Sequence, residues 1–474
     1  MPPTTPSTPK PAQRTYYDGD VDFDKLAAED ADFDAICKIS KDKRWLDFQD
    51  PKVVQQLTKT LLKSDFNLTI TLPLDRLCPP VPVRWNYIHW IQQLLDTTSP
   101  TYNDNYDPTR QVLGLDIGTG ASSIYPLLAC STRPSWRMFA SDIDAHSLDF
   151  ANQNISANNM SPRIRLHHSP NPSSPLIPLS ALGIEELDFV LTNPPFYSSS
   201  QDMLDSYTGK SAPPSAVCTG AENEMICPGG DVGFITRILE ESLVLRERVQ
   251  WYTAMVGKMS SLQLVIAKLK GEGVENFAVC SLQAGYRTKR WAVGWSFRGF
   301  RPRVDVARRG ELVQGVLPVA SALTVRVGGV GKEGLGGKID GIMRELDVRW
   351  MWKGDEGVGV MEAKGDVWSR AARRRKMFKG NAGATKEPEL AKETGVAKEP
   401  GVGKETGVAK ESEVMKKTEV VMDGDSEDEE EVVGLAVKIT CGDDEIDVRW
   451  LRGQDYVLFE SFCGLMKRSM NARR

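Results

Sequence analysis

Histidine is scarce in this chain: four in 474 residues, at His89, His146, His167 and His168. Chemistry built on a histidine base is therefore not favoured. The eight cysteines (Cys37, Cys78, Cys130, Cys218, Cys227, Cys280, Cys441 and Cys463) contain no CxxC pair and no zinc spacing. That spacing signals neither a redox pair nor a zinc site. The thiols read as reduced and mostly buried. No apolar run approaches the roughly 20 residues that a bilayer-crossing helix needs. Met1 to Gln13 are rich in Pro and Thr and lack the apolar centre of a secretion signal. The expectation is a soluble intracellular protein with no membrane partner.

Net positive charge is missing too, the formal value being −5. The average hides segregation. Acidic residues cluster at Asp18–Asp34 and Asp423–Glu431, basic ones at Arg287–Arg309 and Arg370–Lys379. Local patches, not whole-chain charge, decide phosphate affinity. Each run can also be read as a solvated face.

A hydrophobic content of 41% supplies a full core, and the length suits two or three domains. Residues 1–17 are expected to be disordered, and 18–110 to form a helical extension. Val53–Leu62 repeats apolar residues at helical spacing behind an Asp50-Pro51 start. Asn86–Leu95 reads as a second amphipathic helix, and 96–110 as a loop. Residues 111–310 alternate strands (Val112–Asp116, Arg137–Ser141, Ile164–His167, Leu187–Thr192, Trp251–Val256, Phe277–Leu282, Ala292–Phe297) with helices such as Ala145–Ala157 and Gly233–Arg248. That alternation predicts an α/β fold with a doubly wound, mostly parallel sheet whose last two strands form an antiparallel hairpin.

Beyond residue 310 the composition changes. Strands are expected at Leu323–Val327, Val348–Trp352 and Val358–Ala363, and helices at Ile339–Leu346 and Val367–Phe378. Residues 380–431 hold imperfect repeats (KETGVA, KEPGVG) and the acidic run SEDEEE, and read as a disordered linker. Order resumes from Val432, with strands at Asp447–Leu451 and Tyr456–Glu460 and a closing helix. The word Asp347-Val348-Arg349-Trp350 recurs as Asp447-Val448-Arg449-Trp450. The two flanks, 311–379 and 432–474, are therefore expected to pack as one small α+β domain. Arg370–Lys376 suits either a nuclear import signal or an RNA clamp, and Ser426 suits phosphorylation.

Two motifs carry chemistry. Asp116-Ile117-Gly118-Thr119-Gly120 ends the first strand, and its glycines permit a tight turn and close backbone approach to a ligand. The third glycine of a dinucleotide loop is replaced by Ser123. A shorter glycine turn preceded by an acid fits S-adenosylmethionine, which has no phosphate. Its amino acid moiety would lie over Gly118, near Ser122. Asp142 ends the second strand and can accept from ribose hydroxyls; Asp144 is the runner-up, and either could cap the next helix. The other motif, Asn193-Pro194-Pro195-Phe196, follows the apolar strand 187–192. The Asn193 side-chain oxygen and the Pro194 carbonyl can accept both hydrogens of a base's exocyclic amine. Proline extends the preceding residue and fixes the turn. Phe196 can stack on the base. A sulfonium donor needs neither a metal nor a strong base.

Longer blocks lie around these motifs: DFQDPKVVQQLTKTLLKSDF (47–66), VPVRWNYIHWIQQLL (81–95), LDIGTGASSIYPLL (115–128), TNPPFYSS (192–199), GGDVGFITRILEESL (229–243), WYTAMVGKMSSL (251–262) and YRTKRWAVGWSF (286–297). Together they resemble the methyltransferase-like protein 16 family of U6 small nuclear RNA adenine-N6 methyltransferases, which has a bacterial ribosomal RNA branch. The resemblance runs from about Asp22 to Phe297. It implies a class I, Rossmann-like methyltransferase with a seven-stranded sheet, S-adenosylmethionine as cofactor, no metal, and an RNA-binding role for the helical extension. Structured RNA is the implied partner, U6 the implied substrate, and the nucleus, then the cytoplasm, the implied compartment. It places Arg84, Gly118, Ser122, Asp142 and Asn193 on the cofactor, to which the glycine-turn motif adds Asp116 and Gly120, and it places Asn193, Pro194, Pro195 and Phe196 at the reacting amine. RNA contacts are expected from Tyr197, Lys210, Lys258, Arg287, Lys289 and Arg290.

This chain departs from the family pattern in several places. Asp142 stands where Glu is usual, and Tyr197 where Phe is common. Lys210–Pro214 replaces an arginine-rich loop, and the N-terminal arm is acidic. Animal members carry a kinase-associated-1-like RNA-binding domain; the split repeat has a similar layout without a residue match. Other readings remain: transfer to guanine N2, a protein-glutamine methyltransferase (disfavoured by Phe196), and an RNA-binding module on a methyltransferase scaffold.

Overall fold

The computed structural model describes residues 15–40, 43–208, 220–283, 289–372, 374 and 433–471. The N-terminal extension contains α1 (Phe23–Glu29), α2 (Ala31–Ile36), a small antiparallel pair of β1 (Lys38–Ser40) and β2 (Lys43–Trp45), α3 (Pro51–Phe66) and α4 (Val81–Thr97). Local chemistry sets the ends of α3. Asp50 accepts the Lys52 N–H, Pro51 opens the first turn, and Asn67 closes the helix in the left-handed region at φ 54°.

α4 differs from the sequence expectation. It starts at Val81 and is buried on nearly every side, so it is not amphipathic. Neighbours surround it. The Trp85 indole donates to the Thr15 carbonyl, Tyr87 and Thr253 share a 2.7 Å hydrogen bond, and the Trp90 indole donates to the Val306 carbonyl. A helix enclosed in this way needs no polar face, and Arg84 is carried into the interior with it.

The larger sheet is built from β3 (Val112–Ile117), β4 (Trp136–Asp142), β5 (Ile164–His168), β6 (Leu187–Thr192), β7 (Val249–Val256), β8 (Phe277–Ser281), β9 (Trp291–Trp295) and β10 (Arg308–Arg309). The order is β10-β8-β9-β7-β6-β3-β4-β5. β3 to β7 run parallel, while β9 is antiparallel to β7 and β8. The two-residue β10, parallel to β8, is an eighth strand absent from the seven expected; so short a piece leaves no periodic signal. The helices of this unit are α5 (Ile124–Thr132), α6 (Ala145–Ala157), α7 (Leu179–Leu182), α8 (Ser200–Thr208), α9 (Glu222–Met225), α10 (Gly230–Leu245), α11 (Met259–Gly271) and α12 (Val304–Ala307). They divide between the two faces. α4 and α5 pack over one with Trp251 and Met255, α10 and α11 over the other with Tyr252 and Trp295. The strand order reverses between β3 and β6, so a crevice opens beyond their carboxyl ends, where open α/β sheets bind ligands.

A second sheet is wholly antiparallel, in the order β11-β15-β14-β13-β12. Its strands are β11 (Ala322–Arg326), β12 (Arg349–Lys353), β13 (Val358–Ala363), β14 (Leu435–Cys441) and β15 (Glu445–Arg452), with helices α13 (Lys332–Arg344) and α14 (Tyr456–Asn471). Strands from both sides of residues 375–432 thus share one sheet. The expected strand Tyr456–Glu460 is instead the first turn of α14. Its aromatic residues favour β structure alone, yet Phe459, Phe462, Cys463, Met466 and Met470 recur at helical spacing and fill the core. Asp455 accepts the Leu458 N–H and starts the helix. The repeated word does not mark a structural repeat: Arg349-Trp350 lies on the edge strand β12, Arg449-Trp450 on the inner strand β15. Residues 380–431, most of the basic stretch 370–379, and Ser426 lie outside the described residues.

The two sheets are tied together. Arg449 pairs with Asp104 and donates to the Thr97 carbonyl at 2.9 Å, and Lys438 reaches Asp104 at 3.0 Å. Arg301 donates to the Gly453 carbonyl and lies 4.0 Å over the Trp450 ring. Without Arg449, Asp104 keeps Lys438 as a counter-ion, but the charge-assisted bonds to Asp104 and to the Thr97 carbonyl are lost. Arg449→Met is therefore expected to lower stability by about 1–3 kcal/mol. Urea unfolding of the full chain reads this, and an unchanged midpoint would make the contact incidental.

Candidate active site

Three strand ends converge on the crevice. After β3, Gly118 and Gly120 adopt φ values of +76° and +63°, a region that side-chain-bearing residues avoid. The Gly118 and Thr119 N–H groups both donate to the Ser141 carbonyl at 2.9 Å, which anchors the turn to β4. β4 ends at Asp142. Its Oδ2 accepts the Gly120 N–H at 2.8 Å and its Oδ1 the Asp144 N–H at 2.9 Å. Asp144 instead caps α6 and pairs with Arg76 at 3.0 Å. The acid facing the crevice is Asp142.

The crevice is a cavity of about 400 Å³ lined by Gly118, Gly120, Ser122, Asp142, Arg84 and Asn193, together with residues of the 169–178 segment and Glu224. Asp116 lies behind the turn. It is fully buried, and neither carboxylate oxygen meets a donor at good hydrogen-bond geometry, the Thr119 hydroxyl being the side-chain donor nearby. Burial raises its pKa to about 7, with the nearby Asp142 adding to the shift. Burial also raises Asp142. A buried acid without donors wants a cationic neighbour. The cavity volume, the open glycine turn, the orphaned acid and the strand-end acid fit an adenosine-bearing sulfonium amino acid.

Asn193 follows β6 directly. Arg84 Nη1 donates to its Oδ1 at 2.8 Å, and also to the Tyr125 hydroxyl at 2.9 Å and the Met255 sulfur at 3.1 Å. Arg84 thus lines the cavity and fixes which way the amide points. Phe196 packs tightly: a Cβ at Gly257 would stand 2.9 Å from its ring. The Arg290 guanidinium lies 5.3 Å over that ring. Behind the loop, Tyr197 bridges Ile226; its N–H donates to the Met225 carbonyl and its carbonyl accepts the Cys227 N–H, each at 3.0 Å.

Arg290 and Tyr197 therefore gather beside Phe196, and burial lowers the Arg290 pKa. Lys258 is exposed at the start of α11, next to Gly257. Lys289 is exposed and turned towards Glu311 at 2.9 Å. Lys210 and Arg287 lie outside the described residues.

Four residues at this site are not singled out by the sequence. Tyr125 accepts from Arg84. Gly257 makes room for Phe196. Asp231, 5% exposed, accepts the Gly257 N–H at 3.1 Å and the Ser261 hydroxyl at 2.9 Å, and so holds Gly257 in place. Glu224 faces the cavity. Asp231 carries a signal inside the GGDVGF block; Glu224 carries none.

The strand order, the antiparallel β9 and the glycine turn define a class I methyltransferase that uses S-adenosylmethionine. The chain belongs to an RNA methyltransferase family, whose profile matches residues 8–299. It is 32% identical over 433 residues to the U6 small nuclear RNA (adenine-(43)-N(6))-methyltransferase of Schizosaccharomyces pombe, covering 90% of this chain and 95% of that one. It is 37% identical over 289 residues to the human RNA N(6)-adenosine-methyltransferase METTL16, covering 60% of this chain and 50% of that one. It thus spans about half the length of the animal relatives it matches. A crystal structure of the human METTL16 catalytic domain with MAT2A 3′UTR hairpin 1 superposes with a TM-score of 0.52, at 34% identity, covering 61% of this chain and 96% of that one.

Proposed function

We propose that this protein transfers a methyl group from S-adenosylmethionine to the exocyclic N6 of an unstacked adenosine in structured RNA. U6 small nuclear RNA is the proposed substrate and the nucleus the proposed compartment. One observation carries the reading: Asn193-Pro194-Pro195-Phe196 leaves β6 at the mouth of the cavity, with the Asn193 amide oriented by a buried guanidinium.

S-adenosylmethionine, when bound, supplies an electrophilic methyl on a sulfonium. The residues do the rest. A carboxamide oxygen has two lone pairs. Arg84 takes one, and the other can accept an N6 hydrogen. The Pro194 carbonyl, next in the chain, would accept the second, which draws the amine towards tetrahedral geometry. Neither acceptor has to change protonation state; the nitrogen's proton leaves to water. The rate comes mainly from alignment. Phe196 offers an apolar wall to the base, which must leave its stack to arrive.

The reading is tested by incubating the full chain with labelled S-adenosylmethionine and a stem–loop RNA carrying one unpaired adenosine. Label in N6-methyladenosine supports it. Label in guanosine, or in protein glutamine, overturns it.

Phosphate contact makes RNA affinity fall with salt, by a log–log slope of about 0.7–0.9 per phosphate neutralised. Lys258→Gln and Lys289→Gln are each expected to flatten the slope by nearly one unit. An unchanged slope removes that lysine from the interface.

A further inference from the structure

Glu224 ties together three parts of the molecule. Its Oε2 accepts the Leu77 N–H at 3.0 Å and the Ala221 N–H at 2.8 Å. Leu77 lies in the segment leading into α4, and hence towards Arg84. Its Oε1 faces the cavity, 3.5 Å from where a Cβ on Gly120 would stand. One residue on, Met225 accepts the Tyr197 N–H, and Cys227 returns a bond to the Tyr197 carbonyl. A single side chain therefore links the glycine turn, the approach to Arg84 and the segment bonded directly behind Phe196.

We propose that Glu224 is a second carboxylate for the cofactor's ribose, sharing the cis-diol with Asp142 across the Gly120 turn, and that this contact helps set the segment behind the catalytic loop. The inference rests on the cavity being the S-adenosylmethionine site. A cis-diol presents two O–H donors. Each Asp142 oxygen already accepts a backbone N–H, so Asp142 is held rigidly and its remaining acceptor capacity is reduced. Glu224 has one oxygen fixed by two N–H groups and the other turned to the cavity. Carboxylates accept but cannot donate, so a pair of them selects for hydroxyl donors. Burial and the neighbouring Asp142 charge both raise the Glu224 pKa, a strain that incoming donors relieve.

The test uses the full chain, wild type and Glu224→Gln, in calorimetric titrations with S-adenosylhomocysteine and its 2′-deoxy and 3′-deoxy analogues. Glutamine still offers an oxygen to the Leu77 and Ala221 N–H groups. The variant is expected to bind S-adenosylhomocysteine about 10- to 100-fold more weakly. One of the two deoxy analogues should bind wild type and variant equally, because its missing hydroxyl is the one Glu224 would hold. Affinity for the RNA stem–loop without cofactor should change by less than about twofold. Equal binding of S-adenosylhomocysteine by both proteins overturns the proposal. So does the same loss for all three ligands, which would make Glu224 structural. Failure of the wild type to bind S-adenosylhomocysteine would instead overturn the reading of the cavity.

Discussion

Asn193→Ala is expected to slow single-turnover methyl transfer by about three orders of magnitude while RNA and cofactor affinities move less than about tenfold. The amide oxygen is an acceptor preorganised by Arg84, and removing one such group typically costs a factor of about 10²–10³. Here the loss is compounded. Arg84 Nη1 would lose its 2.8 Å acceptor, and a buried guanidinium short of a partner would reorganise beside the reacting amine. Arg84→Met should reproduce part of the effect, about 10- to 100-fold, by freeing the amide to rotate. Rapid-quench measurement with labelled cofactor separates this chemical step from binding. Transfer within tenfold of wild type by Asn193→Ala would sink the two-acceptor mechanism. A loss appearing wholly in RNA affinity would make Asn193 a binding residue instead.

The parts of this site that depend on strand ends are legible in the sequence. Apolar runs 112–117 and 187–192 announce buried parallel strands, and whatever follows such a strand stands at the ligand-binding edge of the sheet. Asp116, Gly118, Gly120, Asp142 and Asn193 all follow from that rule. Contacts between distant segments do not. Glu224 and Leu77 are 147 positions apart, and nothing local distinguishes this glutamate from its neighbour Glu222. The tight seat of Phe196 on Gly257 is equally silent, because a glycine after a strand reads first as a turn. Burial on all sides removes the periodicity that would have marked the full length of α4. At Tyr456–Glu460 a local preference for strand loses to a core that needs Phe459, Phe462 and Met466 on one face. The split sheet is suggested by a repeated word whose copies occupy unlike strands, a signal that the structure does not use.

Asp116→Asn is expected to stabilise the cofactor-free protein and to cripple cofactor binding at once. The folded-state pKa of Asp116 is about 7, against 3.8 for an ordinary aspartate. Below pH 3.8 the carboxyl is protonated both folded and unfolded, and no stability is lost. As pH rises towards about 7 the unfolded chain ionises while the buried group resists, so stability falls across that window and levels off above it. The full span of the shift corresponds to a penalty on the order of 4 kcal/mol. Asparagine carries no such penalty. The variant should therefore melt above wild type at about pH 8, and the gap should shrink at about pH 5. Binding should move the other way. A cationic ligand favours the ionised carboxylate, so wild-type affinity should rise about tenfold per pH unit up to about 7 and then flatten, whereas the variant should be weak and insensitive to pH. Scanning calorimetry at these two pH values, with and without S-adenosylhomocysteine, reads both effects. A variant that melts no higher than wild type at the upper pH would show that the acid is not strained. A variant that binds as tightly as wild type would show that the strain is not there for the cofactor.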